Sequence, residues 1–98
     1  MIYYATVRSE PEPQSGQKHR SSDNFSVKGC ENSLEWVIPE GIRVDIKEDK
    51  RFGVDPTHFT GVRNGQITDS PMSSKLYIAN PSGASQPFDV SCNCVTEG

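Results

Sequence analysis

Leucine and alanine, the residues that most readily fill helices, are nearly missing from this chain: two Leu and three Ala in 98 residues. In their place stand six Ile, eight Val and five Thr. Branching at Cβ restricts χ1 and crowds the preceding helical turn, but it packs well on a pleated surface. The composition therefore argues against a helical plan. Any apolar run near the roughly 20 residues that span a bilayer is also lacking, as is any basic excess, with ten Lys and Arg against 13 Asp and Glu for a net charge of −3. With the signs interspersed, neither nucleic acid nor a membrane surface is expected as a partner. Met1-Ile2-Tyr3-Tyr4 carries no basic segment followed by an apolar stretch, so the chain as it stands is expected to be soluble and cytoplasmic. Catalytic apparatus is scarce too. There are two histidines and no nucleophile elbow, phosphate-binding glycine loop or zinc-protease motif, so no enzyme and no cofactor are expected.

Turn formers are abundant instead: eight Gly, seven Pro, twelve Ser and five Asn. Ninety-eight residues allow one hydrophobic core, so 1–98 is expected to be a single all-β domain. Strands are predicted at 2–7, 25–28, 34–38, 42–47, 59–63, 66–68, 75–79 and 88–95. The cleanest alternation puts Ile42, Val44 and Ile46 on one face and Arg43, Asp45 and Lys47 on the other, which demands one buried and one wet face. Leu34 to Lys47 is read as a hairpin around Pro39-Glu40-Gly41. A second hairpin is read around Asn64-Gly65, a pair that supplies the two positive φ angles of a type I′ turn. All seven prolines fall outside the predicted strands.

Seven or eight short strands with turns every eight to twelve residues predict a small antiparallel β-sandwich or a partly closed barrel of about seven strands. In strand count and spacing the pattern resembles immunoglobulin-like sandwiches. That resemblance implies architecture only, since such folds carry many functions.

Two stretches are candidate recognition loops: the long polar loop 8–24, which has no Val, Ile or Leu and no aromatic residue, and 80–87. Within them Lys18, His19 and Arg20 could grip an anion or an acidic partner, and Asn80 and Ser82 sit at the start of the second loop. Deleting 14–21 is expected to leave the fold intact. Tyr77 is out of phase with Leu76 and Ile78, which makes it a candidate exposed aromatic, whereas Trp36 is in phase with Leu34 and Ile38 and belongs to the core.

Cys92 and Cys94 share the apolar face of the last strand with Phe88 and Val90, so core packing is favoured for the cysteines. A disulfide from Cys30 to either of them is the alternative. A zinc site with His19 or His58 is less favoured still. Asp45, Glu48, Asp49 and Asp55 follow no calcium-loop spacing and read as solvated surface. Asn24-Phe25-Ser26 is formally a glycosylation triplet.

Three functions remain. The first is a small non-catalytic module that binds a protein partner through its loops or a sheet edge. The second is a carbohydrate-binding domain with aromatic platforms, and the third is a structural subunit, a homo-oligomer assembling by edge-strand pairing.

Overall fold

The computed structural model describes residues 2–7 and 21–95 of the chain. Seven strands follow one another: β1 (Ile2–Val7), β2 (Ser33–Val37), β3 (Arg43–Glu48), β4 (Thr57–Val62), β5 (Ile67–Asp69), β6 (Leu76–Ser82) and β7 (Phe88–Val95). No helix occurs among the described residues, so none is long and apolar enough to cross a membrane. The strands form two antiparallel sheets, one in the order β1-β7-β2-β5 and the other β4-β3-β6. The all-β sandwich expected from composition is the observed architecture, and it is not a closed barrel.

One core joins the sheets. Leu34, Trp36, Val90 and Cys92 from the first sheet meet Val44, Ile46, Val62, Leu76 and Ile78 from the second, with Val7, Val27, Cys30 and Ile38 filling the margins. Trp36 is 1% exposed, and its indole N–H donates to Thr68 Oγ1 at 2.8 Å. That bond satisfies the single polar group which its burial would otherwise strand. Phe25 meets the indole edge-on, ring centroids 6.3 Å apart.

The connections differ from expectation. β2 and β3 lie in different sheets, so 34–47 is an arch across the sandwich rather than a hairpin. Its turn carries the Ile42 N–H to Pro39 O at 3.2 Å, with Gly41 at φ 85° in the third position. β4 and β5 also lie in different sheets. At Asn64-Gly65 only Gly65 has positive φ, 83°, while the Gln66 N–H bonds Arg63 O, which is the pattern of a type II turn rather than type I′. Alternating residues face inward whether a chain turns back within one sheet or crosses to the other, so periodicity could not separate the two. The hairpin that does form among the described residues is β3–β4, around a loop rich in charge.

The resemblance to immunoglobulin sandwiches holds in strand count and fails in strand order. In those folds the last strand joins the sheet of the third and sixth. Here β7 is inserted between β1 and β2.

Residues 25–28, predicted as a strand, instead run irregularly along β6. Phe25 and Leu76 exchange backbone bonds of 2.8 and 3.0 Å, the Val27 N–H reaches Ser73 O, and the Ser21 N–H reaches Ile78 O. A bridge between Ser22 and Val7 links the same segment to β1, so it laces the two sheets along one side.

Register shifts mark both flanks of β3. Between Val44 and Ile46 the partner strand β4 advances from Val62 to Phe59, and between Arg43 and Asp45 the partner β6 retreats from Ser82 to Ala79. The extra residue of β4 lies opposite Asp45 and that of β6 opposite Val44, and each bulge contains a positive φ, Gly61 at 64° and Asn80 at 53°. Asp45 holds both bulges: Oδ1 accepts from the Gly61 N–H at 2.9 Å and Oδ2 from Asn80 Nδ2 at 2.8 Å. The β6 bulge also explains why Pro81 lies inside a strand, contrary to the proline pattern expected from sequence. β6 is an outer strand of its sheet, and a bulge on such a strand tolerates a residue without an N–H.

Candidate partner-binding loop

The β3–β4 hairpin carries the most exposed large apolar side chains among the described residues. Glu48 closes its base by donating its N–H to Pro56 O at 3.0 Å, and the Asp49 N–H reaches Lys75 O at 2.7 Å. Asp55, 8% exposed, accepts from the Lys50 N–H at 2.9 Å and from the Tyr77 hydroxyl at 2.6 Å. Asn24 Nδ2 donates to Asp49 Oδ2 at 3.2 Å. Glu48 lies 3.0 Å from Lys50 Nζ and 2.7 Å from His58 Nε2. The hydrogen bond from His58, and then that from Lys50, hold the Glu48 carboxyl below its ordinary pKa, against a smaller opposing effect of burial.

Above this pinned base the chain turns through Arg51-Phe52-Gly53-Val54. Phe52 is 82% exposed and Val54 91%. Gly53 separates them at φ 86°, a left-handed conformation that side-chain-bearing residues rarely adopt. The Arg51 guanidinium lies 5.5 Å from the Phe52 ring centroid, a cation–π distance that orients the ring without covering it. Two apolar groups are thus held in water at the tip of a loop whose base is hydrogen-bonded on every side.

The residues singled out from sequence are only partly among those described. Lys18, His19 and Arg20 lie outside the described residues, as do 8–17 and the terminal 96–98. The described end of the long loop belongs to the fold: Ser21 and Ser22 are buried, and Ser22 Oγ accepts from the Ile78 N–H at 2.9 Å. Of 14–21 only Ser21 is among the described residues, and deleting the stretch would remove its bond to β6. Asn80 is exposed but turned onto Asp45, and Ser82 is exposed opposite Arg43 in the register. Tyr77 is not an exposed aromatic. It is 1% exposed, and its hydroxyl donates to Asp55 of the β3–β4 loop.

Phe52 and Val54 were legible only as apolar residues beside a charge run. The signal was their setting, with Gly53 between them and Asp55-Pro56 behind, where no strand could bury them.

The cysteines divide. Cys30 and Cys94 form a disulfide, Cα atoms 5.7 Å apart, so the expectation that all three pack as thiols is corrected for these two. Cys92 remains a free thiol, 1% exposed, and burial pushes its pKa from 9.0 up to about 12. The carboxylates weighed as a calcium set are dispersed onto separate partners. Among the described residues no three His, Cys, Asp or Glu are grouped to hold a metal ion.

Two further surface features complete the picture. Val37, Ile67 and Val95 are exposed on the outer face of the four-stranded sheet. A shallow depression is lined by Thr60, Gly61, Arg63, Asn64, Gly65 and Gln66. No protein-family model matches the chain, and neither a curated protein nor a solved structure does.

Proposed function

We propose that this domain is a non-catalytic binding module that recognises a protein partner through the β3–β4 loop, with Phe52 and Val54 as its apolar anchors. The observation that carries this reading is the exposure of two apolar side chains on a loop tied down at its base. Burying such side chains in a partner is worth about 1.5–3 kcal/mol each. A loop already held in place loses little further freedom on binding, so more of that gain appears as affinity. Lys50 and Arg51 flank the anchors as a polar, charged rim.

The Cys30–Cys94 disulfide favours an oxidising compartment over the cytoplasm expected from the first residues, because such bonds persist where thiols are not kept reduced. Tyr77 and Trp36, two aromatics on which a carbohydrate reading would draw, are both buried, which favours the loop over a sugar platform at those positions. For assembly by edge pairing the outer strands differ: β5 is three residues long and β4 is interrupted by its register shifts, whereas along the outer edge of β1 the described residues place only the Val7–Ser22 bridge.

Site-specific photo-crosslinking tests the proposal. A benzophenone side chain at position 52, in the disulfide-bonded protein in its native host, should yield a discrete adduct with one partner protein. A Val54→Asp exchange in the same chain should abolish it. Adducts of equal yield from an outlying position such as Glu31, or none from position 52, would refute the role of the loop.

A further inference from the structure

Asn64-Gly65 is the sequence feature that the turn geometry explains but the binding reading leaves unused. An asparagine followed by glycine carries a built-in reaction. The Gly65 backbone nitrogen, once deprotonated, can attack Asn64 Cγ. The N–Cγ bond forms, the Cγ–Nδ2 bond breaks, and the side-chain nitrogen departs as ammonia, taking up the proton that Gly65 lost. Water then opens either C–N bond of the resulting cyclic imide, leaving aspartate or its isomer with the main chain routed through the side-chain carbon.

Nothing steric prevents this reaction in the folded protein. Both residues are exposed, and beyond the adjoining residues no atom lies within 4 Å of where a Cβ on Gly65 would stand. Two hydrogen bonds stand in its way instead. The Gly65 N–H, the hydrogen that must leave, is held by Trp36 O at 2.8 Å. The Asn64 side chain, whose carbon must swing onto that nitrogen, is held through Oδ1 by the Ile38 N–H at 3.2 Å. Both partners belong to β2 and the residue just beyond it, and the Trp36 N–H returns a bond to Gln66 O at 2.9 Å.

We propose that Asn64 is a spontaneous deamidation site whose conversion is held back by the pairing of Asn64, Gly65 and Gln66 with Trp36 and Ile38. The reaction proceeds when that pairing opens, and its products differ in consequence. Aspartate keeps an oxygen for the Ile38 N–H and sets a negative charge beside Arg63 in the depression that both residues line. The isomer adds a main-chain carbon between residues 64 and 65. It shifts Gly65 and Gln66 off Trp36 and leaves the β2 backbone at that point without its partner. Asn64 thereby records, irreversibly, how often this edge of the sandwich has opened.

Mass spectrometry of proteolytic peptides tests this on the wild-type chain. The folded, disulfide-bonded protein and the same protein unfolded in guanidinium with reductant are incubated side by side at mildly alkaline pH. Amide loss and the separable isomer are then followed at each of the five asparagines. Asn64 should be the first to convert in the unfolded chain, and folding should slow it about tenfold or more, as expected where two backbone-linked bonds must break first. Equal rates in the two states would overturn the protective role of Trp36 and Ile38. Faster conversion of Asn24, Asn32, Asn80 or Asn93 in the unfolded chain would overturn the assignment to Asn64.

Discussion

The Tyr77 hydroxyl donates to Asp55 Oδ2 at 2.6 Å, tying the face of β6 that points away from the core to the base of the β3–β4 loop. Both groups are buried, Tyr77 at 1% exposure and Asp55 at 8%. A hydrogen bond to a charged acceptor contributes about 1.5–3 kcal/mol, and its loss leaves the carboxylate with one donor fewer in a site short of water. Tyr77→Phe should lower stability by about that amount, measured as a fall in the urea midpoint at unchanged slope. A change below about 0.5 kcal/mol would mean that the loop is held by its other bonds and not by this one.

The disulfide between Cys30 and Cys94 closes a sequence separation of 64 residues. Restricting an unfolded chain over a loop of that size is worth about 4 kcal/mol by the chain-entropy relation. In a domain of this length that is a large part of the stability available. Replacing both cysteines with Ala should therefore shift guanidinium unfolding by several kcal/mol. An equal midpoint with and without the bond would show that the core holds the domain unaided.

Cys92 should be inert while the fold persists. Its thiol is buried among apolar neighbours and held in the protonated form, with a pKa pushed up to about 12, whereas the reactive species is the thiolate. A chromogenic disulfide reagent should find no thiol in the native protein, one after denaturation and three after denaturation with reductant. Rapid labelling of the native protein would place Cys92 outside the core.

These three relationships were unequally visible in the amino-acid sequence, for physical reasons. The alternation through Ile42, Val44 and Ile46 reports a buried and an exposed face, and those residues do line the core or its margin. The same alternation says nothing about which sheet a strand joins, so the arch at Pro39-Glu40-Gly41 could not be told from a hairpin. Tyr77 was read from its phase as an outer residue, and it does lie on the outer face of β6. Its hydroxyl is bonded by Asp55, more than twenty residues away in sequence, a contact that no local pattern encodes. Cys94 shares a face with Cys92, yet it bonds Cys30 while Cys92 faces Trp36 across the pair of strands. That difference arises from register, which a single strand does not carry.

Glu48 links the base of the same loop to pH. Its folded-state pKa lies below the ordinary 4.5, chiefly through the hydrogen bond from His58 and then that from Lys50. A carboxyl whose folded pKa is depressed stabilises the fold above its unfolded value, and the contribution is lost as pH falls through the folded value. Thermal unfolding followed from neutral pH downward should accordingly show a loss beginning near pH 4.5 and deepening below it. Glu48→Gln should flatten that part of the acid limb. A variant whose melting temperature falls as steeply as the wild type would assign the acid sensitivity to other carboxylates.

Phe52 and Val54 allow binding to be separated from folding. Both side chains stand in solvent, at 82% and 91% exposure, and neither belongs to the core. Surface exchanges away from packed or hydrogen-bonded positions alter stability by no more than about 0.5 kcal/mol. The double exchange Phe52→Asp with Val54→Asp should thus leave the unfolding midpoint in place, and lower solubility is not expected because two exposed apolar groups are removed. The same exchange places carboxylates where a partner's apolar surface would have to close, so affinity should fall by well over tenfold. Affinity in the wild type should also fall when Gly53 becomes Val, since φ 86° is strained for a β-branched residue and the two anchors would be re-aimed. Calorimetric titration with the photo-crosslinked partner measures both effects. Unchanged affinity in both variants would move recognition away from this hairpin altogether, whereas a loss confined to the Gly53 variant would assign binding to the loop backbone instead of its apolar tip.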